Sequence, residues 1–138
     1  MEEVLRIDSI KIPEPALRRL PWYLAYAKLA ASRGELFLSS TQIAKDIAVD
    51  ASQVAKDLSF VNVSGKTRVG YDVQTLIKVL EEFLGFTKTH KAFIFGVGSL
   101  GGALVQDNGL SQYGLQIVAG FDVKCELAGT RINHIPIH

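Results

Sequence analysis

The sequence predicts an α/β chain: an N-terminal winged helix-turn-helix over residues 1–88, followed by the first half of a parallel strand–helix sheet over 89–138. Three observations carry this. Helical periodicity and two helix-start signals occupy the first part. A Gly-containing turn between β-rich arms precedes its last helix. Beyond His90, apolar runs alternate with one short helix, and a glycine-rich loop leads into that helix.

From about Glu14 to Ser32, Leu17, Leu20, Leu24, Ala27 and Ala31 recur at three- and four-residue spacing, which predicts one buried helical face. Pro13 and Pro15 stand at its start, where a missing N–H costs little. Pro21 is expected to kink or restart the helix, and Gly34 to end it. Trp22 and Tyr23 are expected in the core. Ser39 followed by Gln42 is a capping box, each side chain satisfying a free backbone N–H of the other. Ile43, Ala44 and Ile47 then form the apolar side of a short helix. Asp50-Ala51-Ser52-Gln53 repeats the start signal, with Val54, Leu58 and Val61 at i, i+4 and i+7. Two short helices so joined predict a helix-turn-helix.

Val61 and Val63, then Val69 and Tyr71, flank Ser64-Gly65-Lys66-Thr67-Arg68, which predicts a hairpin, or wing. Asp72 is placed to cap a helix buried through Val73, Leu76, Ile77, Leu80 and Leu84, with Gly85 as its stop. In the second part, Ala92-Phe93-Ile94-Phe95 is wholly apolar, as in strands buried on both faces of a parallel sheet. A helix is expected from about Leu100 to Asp107. Asn108-Gly109 breaks the chain, Leu115 to Phe121 reads as a second buried strand, and Ile132 to Ile137 as a third.

Composition sets limits. The 138 residues hold 15 Lys+Arg against 14 Asp+Glu, 48% hydrophobic residues and one cysteine, Cys125. One cysteine forms no internal disulfide, and no cysteine cluster exists for a structural zinc. No apolar run approaches the roughly 20 residues of a membrane span. The acidic start, Met1-Glu2-Glu3-Val4, predicts no secretory signal, and with the lone cysteine points to the cytoplasm. The charge splits at His90 into 12 basic and 11 acidic residues, then 3 and 3. Neither part is basic overall, so a nucleic-acid site must come from local placement of charge.

The glycine loop is the strongest signal. Gly96-Val97-Gly98-Ser99-Leu100-Gly101 follows an apolar strand, opens a helix, and precedes a strand ending in Asp122, 21 residues beyond Gly101. That is the arrangement of a dinucleotide site. Gly96 would permit the tight turn, Gly98 the approach of a pyrophosphate, and Gly101 close helix–strand packing. The helix N-terminus would meet the phosphates. Asp122 would accept the ribose hydroxyls, favouring NAD(H) over a 2′-phosphorylated cofactor. The bland alternative is a turn-forming glycine cluster with a helix cap.

In the helix-turn-helix, Ser52, Gln53, Lys56 and Ser59 lie opposite Val54 and Leu58. Lys56 can reach phosphate or guanine, and Gln53 can read adenine in the major groove. Lys66 and Arg68 in the wing suit backbone phosphate or a narrow minor groove. Asp57 is expected to be solvated or internally paired. Trihelical folds with a wing also serve as protein-interaction modules. His134 and His138 lack a third ligand, so no metal is expected, and Cys125 reads as a passive thiol. Nothing resembles a nucleophile–base pair, so no catalytic residue is assigned.

Both parts together resemble the redox-sensing transcriptional repressor Rex, a family with a winged helix followed by a Rossmann domain. The matching stretches are Ile12-Pro13-Glu14, Arg19-Leu20-Pro21, Ser39-Ser40, Val54-Ala55-Lys56-Asp57-Leu58-Ser59, Arg68-Val69-Gly70-Tyr71, and the glycine loop with Phe121-Asp122. The resemblance implies a homodimer that binds an inverted-repeat operator and releases it when NADH displaces NAD+. It implies Lys56, Lys66 and Arg68 as DNA contacts, and Gly96, Gly98, Gly101 and Asp122 as cofactor contacts. Many members carry arginine where this chain has Ala55 and Ala25, and tyrosine where it has Asp107. The family also continues past the position of His138, so a chain truncated within the Rossmann-like sheet is expected. The competing expectations are an NAD-dependent enzyme with an N-terminal winged helix, and a DNA-binding module without cofactor.

Overall fold

The computed structural model describes residues 12–138. The acidic start, read above as lacking a leader, lies outside them. The chain divides between Leu84 and Gly85 into two compact units.

The first unit begins with α1 (Glu14–Ser32), which opens on a proline where no N–H is needed. The helix does not restart at Pro21; it runs unbroken through it. Pro21 is exposed, so the carbonyl that loses its donor faces water, while Leu20, Tyr23 and Leu24 pin the turns around it. The buried stripe is Ala16, Leu20, Tyr23, Leu24, Ala27 and Ala30, rotated from the expected one, and Leu17 is left 41% exposed. Trp22, expected in the core, is 60% exposed because it lies on the outer face beside Pro21.

Next come β1 (Phe37–Leu38), α2 (Ser40–Ile47) and α3 (Ala51–Ser59). The capping box is present in both directions: the Gln42 N–H donates to Ser39 Oγ at 3.1 Å, and the Ser39 N–H to Gln42 Oε1 at 2.8 Å. Asp50 occupies the N-cap of α3 with no side-chain hydrogen bond; its carbonyl accepts from the Gln53 and Val54 N–H groups instead. The α2–α3 pair buries Ile43, Ala44, Val54 and Leu58 against α1.

The wing differs from the expected hairpin. Val61 and Val63 are buried, but they form no strand: both N–H groups return to the Leu58 carbonyl, and Asn62 takes φ +58°. The extended partner of β2 (Tyr71–Asp72) is β1, antiparallel, with Leu38 opposite Tyr71. The wing itself closes through one bridge between Lys66 and Gly70. Burying the two valines on the helical core outweighs their β propensity. Asp72 then caps α4 (Val73–Phe83), accepting from the Thr75 N–H at 2.8 Å, and Gly85 follows its end at φ +76°.

The second unit holds β3 (His90–Phe95), α5 (Ser99–Gln106), a 3-10 turn (Asn108–Tyr113), β4 (Leu115–Phe121), β5 (Arg131–Ile132) and β6 (Ile135–Pro136). Residues from Gly85 onward join it, the Phe86 ring meeting Tyr113 edge-on at 5.3 Å. β3 and β4 are parallel, as a strand–helix–strand unit requires. The expectation that β3 is buried on both faces is corrected: Phe93 and Phe95 are 62% and 77% exposed. Only the Ile94 face packs, on a core of Val97, Val105 and Ile137. The expected third strand is a short antiparallel β5–β6 turnback, and only Ile137 bridges to the sheet, parallel to Gly120. Among the described residues no helix is long and apolar enough to cross a membrane.

Candidate functional site

Two candidate sites are built, one in each unit. In the first, burial of Val54 and Leu58 turns Ser52, Ala55, Lys56 and Ser59 of α3 outward, all exposed. The Ser59 hydroxyl donates to the Lys56 carbonyl at 2.6 Å, so toward a ligand it can only accept. Beyond α3, the wing presents Lys66 and Arg68, both exposed. Arg68 sits at its tip with φ +62°, a left-handed conformation unusual for a side-chain-bearing residue. A cleft of about 520 Å³ lies between α3 and the wing; Ser39, Ser40, Ala55, Ser59, Lys66 and Arg68 line it.

The structure thus brings Ser59, Lys66 and Arg68 to one cleft. Ser52 and Lys56 stand on the same helix outside it. Among the described residues none of Lys56, Lys66 and Arg68 takes part in an ion pair. Three free cations with hydroxyls between them can grip phosphates. Ser39 and Ser40 were not assigned to a site from sequence; Ser39 was accounted for by its capping box with Gln42.

Gln53 is different. It is half-buried on the flank of α3, and its amide donates to Asp57 Oδ1 at 2.7 Å. Asp57 is fully buried. Of the two expectations for it, solvation is wrong and internal pairing is right. Arg19 Nε and Nη2 donate to its two oxygens at 2.6 and 2.9 Å, and the Tyr23 hydroxyl donates at 2.6 Å. Burial pushes the Asp57 carboxyl up, but the hydrogen bonds from Arg19, Tyr23 and Gln53 outweigh it and hold the group below the usual carboxylate range. The Arg19 guanidinium is raised by its hydrogen bonds to Asp57, and the Tyr23 phenol by burial and the same carboxylate. α1 and α3 are therefore joined by a fully satisfied buried charge.

In the second unit the glycine loop joins β3 to α5. Gly96 turns at φ +89°, its N–H held by the Phe121 carbonyl at 2.7 Å. A side chain at Gly101 would place its Cβ 1.8 Å from the Gly96 carbonyl oxygen, so only glycine fits. A Cβ at Gly98 would meet nothing, which leaves the backbone there open to a ligand. Gly98 is the N-cap of α5, and no side chain caps it. The first N–H groups of α5, from Ser99, Leu100 and Gly101, have no partner within the helix. The Ser99 and Leu100 side chains are exposed, whereas Val97 is buried in the core.

Asp122 lies against the loop. Its Oδ2 accepts the Val97 N–H at 2.8 Å and its Oδ1 the Lys124 N–H at 2.9 Å. These backbone donors, Lys124 first and then Val97, hold the carboxyl below its usual range. Each oxygen keeps room for a further donor, so ribose hydroxyls would share the carboxylate with the loop. Beside Asp122 a mostly apolar cleft of about 350 Å³ is lined by Phe95, Gly96, Phe121, Val123 and His138. Phe95 and Phe121 stack at 5.0 Å, a surface for a flat base. Sequence reading missed this cleft, because Phe95 and Phe121 had been assigned to a buried sheet. A pyrophosphate cradle, an acid for a ribose and an apolar wall fit an adenine dinucleotide.

Of the positions at which the chain departs from the family pattern, Ala25 and Ala55 are exposed, and Ala55 lines the first cleft. Asp107 ends α5 and accepts the Gly109 N–H at 2.8 Å. Among the described residues no group of three metal-ligating side chains gathers.

The chain is similar to known proteins across both units. Residues 11–59 match a family described as "Putative DNA-binding protein N-terminus". The chain is 65% identical over 137 residues to the redox-sensing transcriptional repressor Rex of Bacteroides thetaiotaomicron, covering 99% of this chain and 62% of that protein. It is 41% identical over 128 residues to the Rex of Treponema denticola, covering 92% and 61%. The chain therefore spans about three-fifths of the length of these relatives. A solved structure of RSP in complex with β-NAD+ and operator DNA superposes with a TM-score of 0.84 at 28% identity, covering 91% of this chain and 58% of that one. RSP with β-NADH gives 0.81 at 29% identity, covering 93% and 59%.

Proposed function

We propose that this chain, Rex-like in sequence along nearly its whole length, supplies the DNA-reading domain and the adenosine side of the cofactor site of a repressor that senses the NADH/NAD+ ratio. The observation that carries the reading is the joint presence, on one chain, of a cationic cleft between α3 and the wing and of an open glycine loop beside Asp122. Neither alone would distinguish a sensor from an enzyme or from a plain DNA-binding module.

α3 enters the major groove, where Ser52, Gln53, Lys56 and Ser59 face base edges and nearby phosphates. Lys66 and Arg68 of the wing hold the backbone, and this phosphate grip supplies most of the affinity. Two copies of the chain, related by a two-fold axis, place two α3 helices on the half-sites of an inverted repeat. In the second unit, Gly96 and Val97 shape the loop while the open backbone at Gly98, Ser99, Leu100 and Gly101 cradles the pyrophosphate, and Asp122 receives the ribose. NAD(H), when bound, reports redox state through its nicotinamide ring. The sensor works only through unequal affinity of the two cofactor states for the DNA-bound and released forms. On this reading the chain is a cytoplasmic regulator and not a catalyst.

The test is a pair of titrations on the 138-residue chain: anisotropy with the operator DNA that RSP binds, and calorimetry with NAD+. Saturable binding of both supports the reading. DNA binding without NAD+ reduces it to a DNA-binding module, and NAD+ binding without DNA favours an enzyme.

A further inference from the structure

The Asp57 network has a consequence for base reading. Gln53 stands in the first turns of α3, one helical turn before Lys56, at the end of the helix that meets base edges in a helix-turn-helix. A free glutamine amide can turn over and offer either its carbonyl or its NH2 to a base. Here it cannot do so cheaply, because Nε2 is bound to the Asp57 carboxylate at 2.7 Å. A carboxylate only accepts, so turning the amide over would set two acceptor oxygens against each other.

Asp57 cannot move away either. Its two oxygens are held by both donors of the Arg19 fork and by Tyr23, and it is fully buried. Resting on the DNA-binding reading above, we propose that Asp57 fixes the polarity of Gln53, leaving Oε1 free to accept and making Gln53 a reader of bases that carry an exocyclic amine. In the major groove those are adenine, through N6, and cytosine, through N4; guanine O6 and thymine O4 would meet Oε1 acceptor to acceptor and are disfavoured, while the second Nε2 hydrogen can reach an acceptor beside N6, such as adenine N7. Gln53 is thus a specificity residue, and Asp57, Arg19 and Tyr23 are positioning residues acting through it.

The experiment is selection from randomised duplex DNA by the 138-residue chain, its Gln53→Leu variant and its Asp57→Asn variant, followed by affinity measurements on single-base substitutions of the recovered duplex. The wild type should prefer adenine or cytosine over guanine and thymine about fivefold at one position of each half-site, the worth of one hydrogen bond of about 1 kcal/mol. Gln53→Leu should erase the preference there and leave the other positions unchanged. Asp57→Asn, which lets the amide turn over, should admit guanine or thymine at that position alone, a change that loss of fold would not produce. If Asp57→Asn does not fold, the wild type and Gln53→Leu decide. A Gln53-dependent preference for guanine or thymine, or no Gln53-dependent position, overturns the inference while leaving DNA binding intact. Absence of any recovered sequence overturns the DNA-binding reading and this inference with it.

Discussion

The Val97 N–H donates to Asp122 Oδ2 at 2.8 Å, so the strand-end carboxylate and the glycine loop form one unit. Asp122 therefore holds the loop and, on the reading proposed above, also receives the ribose. Asp122→Ala should weaken NAD(H) binding by roughly tenfold or more, because the ribose hydroxyls lose a charged acceptor. It should also narrow the preference over NADP(H), since the repelling charge is gone. Asp122→Asn, which keeps an acceptor for Val97, should fall between. Calorimetry with both cofactors checks this, and a wild-type preference for NADP(H) would contradict the ribose role.

Gly98 and Gly101 should separate binding from folding. An alanine at Gly101 would drive its Cβ into the Gly96 carbonyl, so Gly101→Ala should destabilise the second unit by about 1–3 kcal/mol. At Gly98 the Cβ has open space, so Gly98→Ala should keep stability within about 0.5 kcal/mol yet obstruct the pyrophosphate. Urea melts and NAD+ calorimetry on both variants check the contrast. Equal loss of stability in the two would refute it.

The Arg19–Asp57 pair gives a pH dependence with a definite sign. Asp57 is held below its unfolded value, so its stabilisation is complete above about pH 4 and is lost as pH falls through the folded value. Arg19→Ala leaves a buried carboxylate short of its main partner and should cost about 3–5 kcal/mol near neutral pH. In that variant the acid loss should begin at higher pH. Thermal melts between acid and neutral pH check both; an unchanged acid limb would remove Asp57 from the account.

On the proposed reading, the glycine loop and Asp122 meet only the part of the cofactor that NAD+ and NADH share. This chain should therefore bind NAD+, NADH and ADP-ribose with affinities within a few-fold of one another, read by calorimetry. A preference of a hundredfold for NADH would require nicotinamide contacts from residues assigned here to other roles.

Most of the fold was legible because its signals are local. The Ser39–Gln42 box, the Asp72 cap, the stops at Gly34 and Gly85, and the spacing from Gly101 to Asp122 each rest on residues close in sequence. What failed depended on distant partners. Val61 and Val63 read as strand but pack on the helical core; Phe93 and Phe95 read as doubly buried but lie on an uncovered face. Of the kink or restart read at Pro21, the restart does not occur, because the packing of Leu20, Tyr23 and Leu24 holds the helix together across it. Asp57 was left between two readings because Arg19 and Tyr23 lie more than thirty residues away. The wing's charges were legible by type, whereas the pairing of its arm with Phe37–Leu38 was not.

The central claim is that α3 and the wing grip DNA, and its most direct measurement is the salt dependence of duplex binding by anisotropy. The wild-type chain is to be compared with Lys56→Ala, Lys66→Ala and Arg68→Gly. Glycine at Arg68 removes the guanidinium while accepting φ +62° without strain, so a loss there reflects charge alone. The account predicts that log K falls linearly with log salt, and that each variant making a phosphate contact reduces the slope by about 0.9. Slopes in all three variants equal to that of the wild type would contradict it, and would take the α3–wing cleft out of the DNA interface.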